Sequence, residues 1–165
     1  MNKSILLTLT GSMLMASMAF GQASAQASVS SSATVTTPII ISATRPLAFG
    51  EVVAGTTDGT VVMSAAGARS HTGGATEILG STSFSAGQVT VNGKPDAAFT
   101  LTYPATVDLS YSGHTMALDT FTNTPLTAGI AGGSVTVGLG GTLHVATSQA
   151  PGPYVGTYTV TATYN

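Results

Sequence analysis

Polar and apolar residues alternate without a break through the last ten residues, Gly156 to Asn165. Tyr158, Val160, Ala162 and Tyr164 fall on one side of an extended chain, and Thr157, Thr159, Thr161 and Thr163 fall on the other. The stretch is rich in β-branched and aromatic residues and lacks proline, so it predicts a half-buried strand. The same period of two recurs upstream. Leu47 and Phe49 share a face of a short strand leaving through Gly50 and Gly55, and Val61 and Met63 share a face in Thr60 to Ala65, entered by an Asp58-Gly59 turn. Ala66 to Gly80 is predicted to be a polar, Gly-rich loop holding Arg69, His71 and Glu77.

Thr82 to Val91 predicts a strand ending in Asn92-Gly93, the strongest local hairpin signal in the chain. Ala97 to Leu109 alternates through Phe99, Leu101 and Tyr103, bends at Pro104 and resumes with Val107 and Leu109, before Ser112-Gly113 turns it into Thr115 to Phe121. Phe121 is out of phase with Met116 and Leu118, which predicts a bulge between Leu118 and Phe121. After a Pro/Gly loop over Asn123 to Gly133, Ser134 to Val145 places Val135, Val137, Leu139, Leu143 and Val145 on one face, across an expected bulge at Gly140-Gly141. Gln149 to Gly152 turns the chain into its final strand. Outside the N-terminus no segment has apolar residues at helical spacing. Short strands at regular intervals predict a single Ig-like, pilin-like β-sandwich over 38–165, with Leu47, Phe49, Phe99, Leu101, Val137, Leu143, Tyr158, Val160 and Tyr164 facing inward.

The N-terminus follows a different pattern. Lys3, the uncharged, mostly apolar run Ile5 to Met18 and the small-x-small site Ala23-Ser24-Ala25 form a signal peptide over 1–25, cleaved after Ala25. The run is short of the roughly 20 residues a membrane-spanning helix needs, so no integral membrane segment is expected in the mature chain. The mature chain would begin at Gln26 with a Ser/Ala/Thr-rich lead-in to Thr37. This lead-in is expected to be flexible or donor-strand-like: Ala27, Val29, Ala33 and Val35 alternate, with Ser31 interrupting, which leaves room for an extended strand. The expected address is the periplasm, cell surface or extracellular space of a Gram-negative bacterium.

Charge narrows the classes of partner. Without Lys3 the chain holds three basic and six acidic side chains, a net charge of −3; nine charged residues in the 140 from Gln26 on is far below the roughly one quarter of ordinary soluble domains. Nucleic acid is not an expected partner. There is no cysteine, so an exported chain of this composition must be held by sheet packing alone.

Little in the sequence points to catalysis. His71, His114 and His144 are spread over a loop, a turn and a strand, without H-x-x-x-H or H-E-x-x-H spacing. No G-x-S-x-G elbow and no phosphate-binding glycine loop is present. The expectation is that the protein is not an enzyme and has no catalytic, cofactor-binding or metal-binding residues. Tyr103, Tyr111, Tyr154, Tyr158 and Tyr164 are expected to fill the core with their hydroxyls partnered at its rim.

Particular residues also carry a family resemblance. Leu47-x-Phe49-Gly50 with Gly55, Gly59-x-Val61, the Arg69 to Gly74 loop, Gly93-Lys94-Pro95 leading to Phe99 and Pro104, Met116 to Phe121, Gly141-Thr142-Leu143 and Gly152-x-Tyr154-x-Gly156-x-Tyr158-x-Val160 with Tyr164 resemble the secreted bacterial family called domain of unknown function 4402. Phe99 and Tyr103 stand where a Tyr and a Leu are expected. The resemblance implies a fold and no catalytic set. The chain end also resembles that of chaperone-usher pilus subunits, with Tyr164 penultimate and Gly152 fourteenth from the end. That likeness implies a fimbria-like surface-assembly subunit. Its partners would be copies of itself or related subunits and a periplasmic chaperone, and it would pair by strand addition along Gly152, Tyr154, Gly156, Tyr158, Val160, Ala162 and Tyr164. The chain departs from those subunits in lacking a disulfide and in the small residues of its lead-in. The alternative is a monomeric secreted binding module using loop tips such as Arg69 to Glu77.

Overall fold

The computed structural model describes residues 24–78, 80, 83–126 and 129–165. Most of the expected signal peptide, residues 1–23, lies outside them, as do Thr82 at the start of one expected strand and residues 127 and 128 of the Pro/Gly loop. Among the described residues no helix is long and apolar enough to cross a membrane.

The chain is all-β and antiparallel. Its strands are β1 Ile40–Arg45, β2 Ala48–Phe49, β3 Val52–Val53, β4 Gly59–Met63, β5 Arg69–Gly73, β6 Thr76–Glu77, β7 Phe84–Ser85, β8 Gly87–Asn92, β9 Phe99–Thr102, β10 Thr106–Tyr111, β11 His114–Asn123, β12 Ser134–Val145 and β13 Thr161–Tyr164. A seven-stranded sheet runs β1-β8-β12-β11-β10, with β4 added to β12 and β5 to β4. Short ladders join β2 to β7, β3 to β6 and β9 to β13. β1, β2 and β3 thus form one interrupted run lying against β6, β7 and β8. The run turns at Pro46 and again at Gly50, where a φ of +72° suits glycine.

β12 is the spine. Its first half, Ser134 to Leu139, pairs with β8, and its second half, Gly141 to Val145, pairs along the same edge with β4. β4 can pass so close because Gly138 and Gly140 have no side chain: a Cβ on either would run into the carbonyl of Ala65 or Met63. The odd-numbered residues of β12 stay inside throughout, so Val137 and Leu139 join one core cluster while Leu143 and Val145 join the other. Phe49, Val61, Met63, Ala75, Ala86, Met116 and Leu118 complete the first cluster; Val89, Val91, Phe99, Leu101 and Ile130 complete the second. Of the expected core, Phe49, Phe99, Leu101, Val137 and Leu143 are buried, and Leu47, Tyr158, Val160 and Tyr164 are half-buried.

Several local expectations are corrected. Asn92-Gly93 is no hairpin: β8 finds its partners in β1 and β12, and β9 finds its partner in β13. Gly93 is needed because the Tyr164 hydroxyl occupies the space a Cβ would take. Asp58-Gly59 does not close a hairpin either, since β3 pairs with β6; the Asp58 carboxylate instead accepts the Thr147 N–H at 2.7 Å. The expected loop Ala66 to Gly80 contains β5, folded back on β4, and β6. No bulge falls at Gly140-Gly141. The register slips on the facing strand, between Asp119 and Thr122, where Thr120 takes a φ of +48°. That is the segment in which the phase change of Phe121 predicts an irregularity. Ser112-Gly113 is the two-residue hairpin it resembles, with both residues at positive φ.

Candidate functional site

The C-terminal segment is laid across the fold by close approaches. Tyr154 donates its hydroxyl to the Ala150 carbonyl at 2.9 Å, accepts Gln149 Nε2 at 2.7 Å and packs against Tyr111 with ring centroids 5.9 Å apart. Gly152 lies under the Tyr111 ring, which would collide with any Cβ there. Val155 then exchanges backbone hydrogen bonds of 2.9 and 3.2 Å with Ser110, covering that edge of β10. Gly156 crosses β10 so closely that a Cβ would sit 2.9 Å from the Asp108 carbonyl. The two glycines therefore have a packing explanation within this chain.

The predicted ten-residue strand is laddered only over Thr161 to Tyr164, against β9. Beyond Thr161 the register would bring Tyr103 opposite Val160 and Pro104 opposite Thr159. Proline has no N–H to give, and the chain from β9 leaves for β10 in the other sheet. Gly156 to Val160 consequently belong to no ladder, and none of the other backbone hydrogen bonds among the described residues involves them. A groove of about 490 Å³ opens at this divergence, between Thr102, Tyr103, Pro104 and Val107 on one side and Thr157, Tyr158, Thr159 and Thr161 on the other.

An aromatic stack floors this region. Tyr103 lies parallel to Phe121 at 5.8 Å, and Phe121 meets Tyr158 at 4.8 Å. The Tyr103 hydroxyl donates to Asn123 Oδ1 at 3.0 Å. Burial, and then the neighbouring Tyr158, pushes the Tyr103 phenol up to about 12; burial also raises Tyr158. Both phenols therefore hold their protons to higher pH than a free tyrosine.

At the other end of the strand, the Tyr164 hydroxyl accepts the Lys94 N–H at 2.7 Å and donates to the Thr37 carbonyl at 2.9 Å. The remaining edge of β13 has no ladder partner among the described residues, nor has the outer edge of β1. Ala162 and Val160 pack half-buried against the second core cluster. Residues 24 to 38 are exposed and carry no strand; Val29 and Val35 are 89% and 97% exposed.

Of the charged loop expected to offer a binding tip, Ser70 to Gly73 and Thr76 are exposed, while the Arg69 and Glu77 side chains turn inward. Arg69, its side chain 4% exposed, donates Nη1 to the Phe49 carbonyl at 2.6 Å, pairs through Nε with Glu77 at 2.9 Å and lies 4.3 Å over the Phe84 ring. It satisfies the carbonyl left free where the chain turns at Gly50. His71 Nδ1 stands 3.5 Å from the second Glu77 oxygen. His144 Nε2 contacts Asp119 at 3.0 Å; that bond, with one from the Thr120 hydroxyl, holds the exposed Asp119 carboxyl below its usual range. Among the described residues no three metal-ligating side chains converge.

Fold and site together define an all-β sandwich whose most distinctive feature is an incompletely paired terminal strand. Residues 39–164 match the family model described as a domain of unknown function, DUF4402, and the chain belongs to that family. No curated protein and no solved structure matches the chain.

Proposed function

We propose that the protein is an exported, non-enzymatic structural subunit of a surface or envelope assembly, joined to copies of itself or related subunits by β-strand addition. The observation that carries this is the terminal strand, which among the described residues is paired along one edge over only Thr161 to Tyr164 and unpaired along the other. Open edges invite another chain, and soluble proteins normally blunt them with charge, proline or cover. Gly156 to Asn165 contains neither charge nor proline, and Gln26 to Thr37 has the alternating pattern of a partner strand. A periplasmic chaperone would shield such an edge before assembly. The test is size exclusion at several concentrations of the chain with and without Gln26 to Thr37. The proposal expects concentration-dependent association that disappears with the deletion. A stable monomer whose melting temperature and size ignore the deletion would sink it.

A further inference from the structure

We infer that the acceptor for a partner strand is the gap at Gly156 to Val160, beside Tyr103, Pro104 and Val107, and that its occupant is the Ala27 to Val35 segment of a second copy. This rests on the assembly reading above and specifies where on the terminal strand the pairing occurs.

The gap is bounded on both sides. The Val155–Ser110 bridge ends pairing at one end, and the Thr161–Thr102 pair resumes it at the other. Between them lie five residues, enough to reach about 17 Å at roughly 3.3 Å per residue when extended, whose backbone groups have no hydrogen-bond partner among the described residues. Main-chain N–H and C=O groups are obligatory hydrogen-bonding groups, and a row of them beside a groove is a template for an extended polypeptide. Closure from within is barred by Pro104, which cannot donate at the position facing Thr159.

The groove favours a peptide over a sugar. Tyr103 and Tyr158 line it, and each gives one side of its ring to Phe121. What the groove leaves free is backbone, rimmed by the hydroxyls of Thr102, Thr157 and Thr159.

The occupant follows from what this chain leaves uncovered. Val29 and Val35 are almost fully exposed apolar side chains in a segment with no strand partner. Ala27, Val29, Ala33 and Val35 share one face and are small, as suits a site already floored by two tyrosines. Neither segment carries a charged side chain, so bringing them together buries no charge.

Because the chain contains no cysteine, disulfide trapping reads the contact directly. Cysteine replaces one donor residue, Ser31, Ala33 or Val35, in one copy of the whole mature chain. In a size-tagged second copy it replaces Thr157 or Thr159, or as comparators Ser42 on β1 or Thr163 on β13. A disulfide demands Cα atoms about 4.4–6.8 Å apart, so mild oxidation should yield mixed dimers with Thr157→Cys or Thr159→Cys and lose them with Ser42→Cys and Thr163→Cys. Val29→Asp with Val35→Asp in the donor should abolish both the cross-link and the association. If the chain associates, the double aspartate variant prevents it, and cross-links form at Ser42→Cys or Thr163→Cys instead, the assembly reading survives and this acceptor is wrong. A double variant of Ala33 and Thr159 that closes its disulfide within a monomer overturns the second-copy occupant. Occupation of the groove by an added oligosaccharide on a chain that stays monomeric overturns the peptide assignment. Absence of any association removes the assembly reading itself.

Discussion

The Tyr164 hydroxyl donates to the Thr37 carbonyl at 2.9 Å, tying the end of the sandwich to the segment that leads into its first strand. The same oxygen accepts the Lys94 N–H, so one phenol satisfies two backbone groups from separate stretches of chain. Tyr164→Phe keeps the ring and removes both bonds. The expected loss is about 1–3 kcal/mol of unfolding free energy, with faster protease cleavage near Thr37. Unchanged denaturant midpoint and unchanged cleavage would show that water replaces both bonds without cost.

Phe99 lies on β9 directly opposite Tyr164 and is 4% exposed within the second core cluster. Truncation to alanine leaves a cavity between the β9–β13 ladder and the main sheet. Phe99→Ala should cost about 3–5 kcal/mol in urea or thermal denaturation. A shift below about 1 kcal/mol would place Phe99 outside the working core.

Arg69 is a buried cation with one anionic partner and one carbonyl to satisfy. Arg69→Met would leave Glu77 buried without its counter-charge and the Phe49 carbonyl without a donor, an expected loss of about 3–5 kcal/mol. The double variant Arg69→Met with Glu77→Gln should recover part of that loss, because the stranded charge is gone. Strict additivity of the two single effects, measured as a double-mutant cycle, would refute the ion-pair account.

The phenol of Tyr103 gives stability an alkaline limit. Its folded value is raised, so its contribution is complete below the ordinary value of 10.0 and is lost as pH rises toward about 12, where the unfolded chain ionises more readily. Denaturation midpoints should therefore fall over that window, and Tyr103→Phe should flatten the fall. Asp119 acts at the other end of the scale. Its carboxyl is lowered by His144, so what the pair contributes is present above the unfolded carboxyl value and lost as pH falls through the folded one.

Much of this fold is legible in the sequence, because period-two burial is a local property. Ser134 to Val145 can be read directly: its odd-numbered side chains face the core along the whole strand. Phase is also visible, and Phe121 reveals the slip that Thr120 makes in space. Pairing is not local. Asn92-Gly93 has the composition of a hairpin turn, but its strands have better partners elsewhere, and its glycine serves the Tyr164 hydroxyl instead. Arg69 and Glu77 look like solvent-facing loop charges until the free carbonyl at Phe49 and the Phe84 ring are known. The terminal strand alternates over its full length, yet nothing in its own residues shows that the pairing stops at Val160. That signal sits in Pro104, which can be found only once the register against β9 is known.

β12 also sets the order in which the protein can be made. Its one edge serves both β4 and β8, and its other edge serves β11, so three strands built earlier wait for residues 134–145. A chain emerging from its N-terminus holds these half-finished edges exposed together until β12 arrives, and such long-range pairings form slowly. Truncation before Ser134 would leave the first and second core clusters without the element that belongs to both. Completion of both core clusters thus waits until nearly all of the chain is present.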